Sequence, residues 1–398
     1  MYIFYVISFI FIILLSIRSS KDYLSPINFI LIDTSFRALL PIAVGGLYFS
    51  VDIVDIRITV SLIIHMLSLF LSFYLFMYIG SNIKVAQIVG GFEQPNIPKW
   101  VIWLFIFAAI FSFLCIFIFG KWSLIAWLES PRTGYQFGRK GVGMFFVLFV
   151  LFIYLSWISF MTNSDKFSKL SKIIIAISIL YLAYLTGSKR VVVTCFLFYF
   201  LYRNMYIAKL NFIQVVWTGF FLMLAFLFYF LLLSGGIGDI IGYFNYFQTT
   251  QDIYGRLEYG LLDFQGGAIN SSRIWEFIPR FIYEDKPYVY GGGMVTEIIS
   301  PGKVAEGHNL GMLDFTVYYL DFGQLGVFMH AFFAGSYAGF VYGVFKNKKN
   351  SFFFLLLYFS LFSNVLTSSP NILYLIVLSV FYFAYLFYKQ FIRIYTKA

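Results

Sequence analysis

The sequence predicts an all-α, polytopic membrane protein of about eleven transmembrane helices with one large extracytoplasmic loop. Three observations predict it. Hydrophobic residues make up 61% of the 398 positions and charged residues only 12%, whereas a water-soluble globule carries roughly a quarter charged residues. Apolar runs long enough to cross about 30 Å of hydrocarbon recur along the chain. One interval, from about Ser234 to Gly311, has no such run and instead mixes Arg, Lys, Glu, Asp and His with Gly, Pro and aromatics. Loops of that length are functional or disordered, and the aromatic content of this polar island argues that it folds.

The apolar runs lie near residues 1 to 17, 27 to 49, 58 to 79, 100 to 119, 142 to 162, 173 to 188, 191 to 207, 212 to 233, 315 to 345, 351 to 367 and 371 to 388. They divide the chain into an N-terminal bundle (1–233), the island (234–311) and a C-terminal membrane segment (312–398). The first run has no basic residue before it and no small-residue cleavage site after it, so it reads as a retained span. The two short runs around Gly187-Ser188-Lys189-Arg190 form either a helical hairpin or one broken helix. Cys115 and Cys195 sit inside apolar runs, which excludes a disulfide framework and a cysteine metal site.

Lysine and arginine orient the spans, because short cytoplasmic connections carry an excess of both. One alternate set of connections recurs as Arg18 and Lys21, Lys84 and Lys99, Lys166 to Lys172, Arg203 and Lys209, Lys346 to Lys349, and the tail Lys389 to Lys397. That set reads as cytoplasmic, so the amino terminus and the island lie outside and the carboxyl terminus inside. The net charge of +10 therefore reports orientation before it reports an anionic partner. Basic residues on the opposite side are fewer but clustered: Lys121, Arg132, Arg139 and Lys140, then Lys189-Arg190, then the island itself.

Those clusters are where chemistry can reside. Lys189-Arg190 opens a span, where free backbone N–H groups and the helix dipole favour an anion; snorkelling of two cationic side chains is the alternative. In the island, Pro279-Arg280 and Lys286-Pro287 set two cations on a stiffened frame. Arginine matches phosphate oxygens with a planar fork, and lysine acts as a point charge. Glu284 and Asp285 could instead neutralise both in a surface network. Arg256 with Glu258, and Arg273 with Glu276, are explained by local pairing. His308 closes the island and is suited to act as a general base, whereas His65 and His330, inside apolar runs, read as structural. Asp33 and Arg37 form an i, i+4 pair within a span. Asp314 and Asp321, seven residues apart, are expected on one helix face, lining a cavity or serving structure. Outside the spans there is no Asp-x-Asp, no His-x-x-x-His and no glycine-rich phosphate loop. A bound diphosphate would thus fall to Arg and Lys.

In Gly187-Ser188-Lys189-Arg190, in the external loop with Ile278-Pro279-Arg280 and Lys286-Pro287, and in the short pair of spans that follows, the chain resembles the Wzy-type O-antigen (oligosaccharide repeat-unit) polymerases of bacterial inner membranes. His308-Asn309 followed by Leu313, Gly323 and Gly326 is similar to the His-Asn segment of the related O-antigen ligases. The family's Gly-Ser-Arg has Lys189 in the arginine's place, so both Lys189 and Arg190 remain open for that role. The resemblance implies a GT-C-like, metal-independent glycosyltransferase without cofactor. Such an enzyme moves a growing glycan from undecaprenyl diphosphate to the non-reducing end of another lipid-linked repeat unit, at the periplasmic face. His308 would take the acceptor's proton while Arg190 and Arg280 hold the departing diphosphate. Lys189, Arg273, Lys286, Arg256, Arg132, Arg139 and Asp314 are the candidates for substrate binding. The implied partners are lipid-linked repeat units, membrane lipid and a chain-length-regulating co-polymerase, with no nucleic acid. The alternatives are a ligase to lipid A core and a lipid-linked-oligosaccharide flippase.

Overall fold

Backbone groups in an apolar medium must be bonded within their own segment, and each apolar run within the described residues is accordingly helical. The computed structural model describes residues 2–20, 22–34, 37–38, 56–83, 99–120, 122–138, 141–234, 246–276, 278, 283–305, 310–347 and 352–363. The bundle begins with α1 (Tyr2–Ser20), α2 (residues 26–34), α3 (Ile56–Asn82) and α4 (Lys99–Phe119). A connection follows, built from α5 (Leu124–Glu129), α6 (Pro131–Thr133) and a π-helical turn, Gly134–Gly138. Then come α7 (Gly143–Thr162), α8 (Lys169–Leu185), α9 (Lys189–Tyr202) and α10 (Phe212–Ser234). The island holds α11 (Tyr246–Glu258), α12 (Ala268–Ser272) and α13 (Gly292–Ile299), and the chain continues through α14 (Thr316–Asn347) and α15 (Phe352–Ser363). No strand occurs among the described residues. Among the described residues four helices, α3, α4, α7 and α14, are long and apolar enough to cross a membrane, consistent with a membrane protein. The run near 371 to 388 and most of that near 27 to 49 lie outside the described residues.

Local signals set several boundaries. Asn211 and Gln214 exchange hydrogen bonds between side chain and backbone at 2.8 and 3.1 Å, a reciprocal cap that starts α10. Ser168 caps α8 by accepting from the Ser171 N–H at 3.3 Å. Between α8 and α9 the chain reverses at Gly187, whose φ of +63° suits glycine. α8 packs on α9, and Asp165, just before α8, lies within electrostatic reach of Tyr202 at the far end of α9. The pair is therefore a hairpin rather than one broken helix.

The centre of the bundle is the parallel pair α3 and α14. Gly335, Gly339 and Gly343 repeat every four residues on one face of α14, and a Cβ on any of them would collide with backbone or side-chain atoms of α3 at Leu69 and Ser72, at Phe73, and at Met77. Gly80 of α3 meets the Phe340 carbonyl in the same way. Small residues at fixed spacing are the usual means by which membrane helices approach backbone to backbone. At the opposite end from the island, Asp22 accepts from Tyr342 Oη at 2.7 Å and from Asn204 Nδ2 at 3.3 Å, joining the start of α2 to the ends of α14 and α9. α1, α3, α9 and α14 thus all run away from the island.

The island is folded and docked. Ile253, Ile269, Val295 and Ile299 form a small apolar cluster closed by Leu320 of α14. α14 kinks at Gly323 (φ 62°, ψ −146°). The Leu320 and Asp321 carbonyls, released by that kink, accept from the Gln265 and Gly266 N–H groups at 2.9 and 3.1 Å. The Asp321 carboxylate, 1% exposed, accepts from the Ile269 N–H at 3.2 Å, the Asn270 N–H at 2.8 Å and Asn270 Nδ2 at 2.6 Å. On the other side Tyr254 stacks on Tyr319 at 3.7 Å and donates to Ser61 Oγ at 2.7 Å.

The glycine face gives a direct test. Gly339→Leu is expected to separate α3 from α14 and to lower stability by about 3 kcal/mol or more, in the upper range for overpacking. Gly219→Ala, at a position with open space around it, is expected to be neutral or mildly stabilising. Thermal unfolding in detergent reads both, and equal melting points would discount the backbone contact.

Candidate functional site

Two of the three cationic clusters singled out by the sequence meet at the island end of α9. Trp127 of α5 is fully buried and donates from Nε1 to the Leu185 carbonyl at 2.7 Å, pinning the 122–138 connection to the end of α8. Gly134 and Gly138 lie against the Trp127 ring, so the π-turn wraps around it. Any Cβ at Gly187 would strike the Pro131 carbonyl. This fit carries Arg132, whose guanidinium stacks on Tyr135 at 5.3 Å, into electrostatic reach of Lys189. Burial, with the Arg132 guanidinium nearby, pulls the Lys189 ammonium below the usual lysine range to about 8. Ser188 makes no side-chain cap to α9. A helix N-terminus without that cap, beside three cationic side chains, suits an anion with several oxygens.

Arg190, half-buried, faces the next group, since it lies within electrostatic reach of Asp33. Arg37 forks onto Asp33, with Nη2 to Oδ2 at 3.0 Å and Nε to Oδ1 at 3.2 Å, and reaches Asp314 Oδ1 at 3.6 Å. The same guanidinium sits 4.7 Å from the Tyr246 ring centroid at the foot of α11. Arg37 therefore ties α2, the island and the segment leading into α14 at the base of the cationic corner. With 8% side-chain exposure it is buried between two carboxylates, the arrangement that makes a buried charge tolerable.

The structure gathers some expected site residues and disperses others. Arg132 and Lys189 come together, while Arg190, the next residue, is in reach of Asp33, from which Asp314 is reached through Arg37. Arg273 stands elsewhere on the island, donating from Nη1 to Tyr318 Oη at 3.3 Å. Lys286 lies 4.8 Å from the Tyr290 ring. His308, Arg280 and Arg139 lie outside the described residues, as does the His308-Asn309 segment. Two expectations need correction. Arg256 pairs with Asp252, one helical turn back, at 3.2 Å. Glu258 instead takes Arg57 of α3 at 2.6 Å, because the docked island turns that carboxylate toward the bundle. Asp314 and Asp321 do not share a helix face, because α14 starts at Thr316 and leaves Asp314 in the preceding turn; Asp321 holds the start of α12. The expected Asp33–Arg37 pair is present, and Arg37 takes in addition Asp314, a carboxylate distant in sequence.

Compared with known protein families, curated proteins and solved structures, the chain shows no match. Arg37 offers a structural check: Arg37→Met removes the buried cation shared by the half-buried Asp33 and Asp314 and is expected to cost up to about 3 kcal/mol, the lower end of the range for breaking a buried pair. The triple variant Asp33→Asn, Arg37→Met, Asp314→Asn is expected to recover most of that in a detergent unfolding assay. A triple variant as unstable as Arg37→Met would assign the loss to packing rather than charge.

Proposed function

We propose that the chain is an O-antigen polymerase, a GT-C-like glycosyltransferase of about eleven spans. It works at the periplasmic face of a bacterial inner membrane, with its amino terminus outside and carboxyl terminus inside. It transfers a growing glycan from undecaprenyl diphosphate to the non-reducing end of another lipid-linked repeat unit, and needs no metal or cofactor. The observation that carries this reading is the approach of Arg132 to Lys189 at the N-terminus of α9, a helix that Arg190 also opens, with Asp33, Arg37 and the foot of the island beside it. The acceptor hydroxyl attacks the anomeric carbon, the bond from that carbon to the diphosphate oxygen breaks, and the electron pair departs on the diphosphate. Cations at the corner stabilise the charge that develops there. A hydrogen bond to a charged group contributes about 1.5–3 kcal/mol; if it strengthens in the transition state, that is roughly one to two decades of rate. The exposed aromatic and aliphatic faces of α4 and α10 suit polyprenyl tails, which need apolar surface only. His308 is assigned the acceptor's proton, and Arg280 the diphosphate alongside Arg190. Chain length would depend on a separate co-polymerase.

A second reading, a lipid-linked-oligosaccharide transporter, is favoured by one observation. Asp33, Arg37, His65 and His330 are ionisable groups inside the bundle, and such groups mark substrate pathways and proton relays. Deleting the gene and resolving lipopolysaccharide on a gel separates the readings. Polymerase loss leaves core capped by a single repeat unit. Ligase loss leaves bare core, and flippase loss leaves bare core with repeat units stranded on the cytoplasmic leaflet. A normal ladder overturns all three.

At residue level, Arg190→Ala and Arg280→Ala are expected to abolish long chains while the protein remains in the membrane; unchanged ladders would remove both from the site. His308→Ala with full polymerisation would dismiss the base assignment. Lys189 adds a pH signature. In the free protein its ammonium is charged below about 8 and neutral above it, so kcat/KM for the lipid donor is expected to fall as pH rises through that value. Lys189→Arg should remove this alkaline limb, and an unchanged limb would assign it to another group.

A further inference from the structure

Between α11 and α12 the island carries a loop, residues 259–267, whose two ends are tied to the level where the spans of α3 and α14 stop. At one end Glu258 takes Arg57 of α3 at 2.6 Å. At the other, the Gln265 and Gly266 N–H groups reach the Leu320 and Asp321 carbonyls of α14 at 2.9 and 3.1 Å. Arg57 and Asp321 are also the last charged residues before the apolar stretches of their helices: no Asp, Glu, Lys or Arg occurs between Arg57 and Lys84, or between Asp321 and Lys346. At about 1.5 Å per residue, roughly 20 residues cross the hydrocarbon. Each stretch is therefore long enough to cross, and its charged end marks the interface on the island's side. Ser61 meets Gln324 at 3.0 Å, which sets the two ends level.

The loop thus stands at the depth of the interface, and its side chains suit that depth. Tyr259, Leu261 and Phe264 are 77%, 75% and 55% exposed, and Asp263 is the one charged residue between Glu258 and Arg273. Single exposed hydrophobic residues are ordinary, but three within six positions form a patch. The patch continues a face of α14. Phe264 lies against the kink, its ring 5.9 Å from that of Tyr319 and 3.6 Å from where a Cβ on Gly323 would stand. A Cβ on Gly267 would collide with the Phe322 ring. From Phe322 the exposed face of α14 runs on through Leu325 and Phe328 into the span.

We propose that this loop is a membrane anchor: Tyr259, Leu261 and Phe264 enter the leaflet on the island's side, at the boundary between headgroups and acyl chains. Lipid covers the patch because lipid already meets the face of the spanning helix that the patch extends. Aromatic rings match this boundary, with apolar neighbours on one side and polar ones on the other. Asp263 keeps the insertion shallow, since its exposed carboxylate has to stay among the headgroups. The anchored loop is the segment that satisfies the Leu320 and Asp321 carbonyls, so the bilayer itself helps to seat the island. The anchor requires that α3 and α14 cross a membrane and is independent of the polymerase reading.

The test uses the full chain in nanodiscs of phosphatidylcholine, with a nitroxide on Leu261→Cys or on Leu325→Cys. The native Cys115 and Cys195 are buried, and wild type treated with the label gives the background. Collision with oxygen, which concentrates among acyl chains, is compared with collision with a water-soluble nickel chelate. At Leu261 the oxygen-to-nickel ratio is expected to lie several-fold above that of the same label free in water, and below that at Leu325. Tyr259→Cys gives an independent reading with the same expected outcome. A ratio at both loop positions equal to that in water overturns the proposal. Low collision with both reagents shows that protein covers the loop and also overturns it; dipolar broadening in that sample would identify the cover as a second copy of the chain. A ratio at Leu325 no higher than in water removes the lipid-facing surface that the loop extends, and the anchor falls with it.

Discussion

The backbone contact between α3 and α14 is the constraint on which the rest of the molecule depends. Between helices in an apolar medium there is little hydrophobic driving force, so tight van der Waals packing has to hold them. The glycines at 335, 339 and 343, with Gly80 opposite, allow that packing. Because the two helices run parallel, a segment from the first fifth of the chain stands beside one from the last fifth, and their island ends lie level. Ser61 and Gln324 meet there at 3.0 Å, and Tyr254 of the island closes over them. Without the close approach, neither the seat for the island nor the His65–His330 contact would exist.

Charge is distributed by the same logic. Inside the bundle, where dielectric screening is weak, Arg37 is shared by Asp33 and Asp314, and Asp321 is satisfied by donors from α12. Each of these charges performs a join: α2 to the entry of α14, and the island to its kink. At the island end of α9 the balance differs: Arg132 lies in reach of Lys189, and Arg190 beside it is in reach of Asp33. Cations held this way by a tryptophan-centred turn and a left-handed glycine raise the local positive potential.

The island serves as both cover and connection. Its small apolar core rests on Leu320, and its turn at Gln265 and Gly266 takes up the carbonyls that the Gly323 kink releases. An irregular backbone at that depth is tolerated because another part of the protein satisfies it. Docking also fixes Arg273 above Tyr318, so a cation on the island acts on groups beneath it.

Most helices were legible in the sequence, because span length and the need to satisfy the backbone locally are properties of a single segment. The break at Gly187-Ser188-Lys189-Arg190 was legible too, although only the structure decided that the chain reverses there. The grouping of Lys189-Arg190 with the basic loop was legible only as clustering on one side. Partners were not legible. Glu258 chose Arg57 and Arg37 acquired Asp314, since each outcome depends on how the island sits on the bundle, and Arg256 was left to Asp252 one turn back on α11. His65 and His330 each looked like a lone histidine on an apolar helix, and only the packing of α3 on α14 made them a pair. The sequence by itself determined an all-helical chain, the interruptions between its apolar runs, and which residue types could hold an anion. The tertiary structure decided which of them meet, because hydrophobic periodicity encodes a helix and its faces but carries no record of what a distant segment places against them.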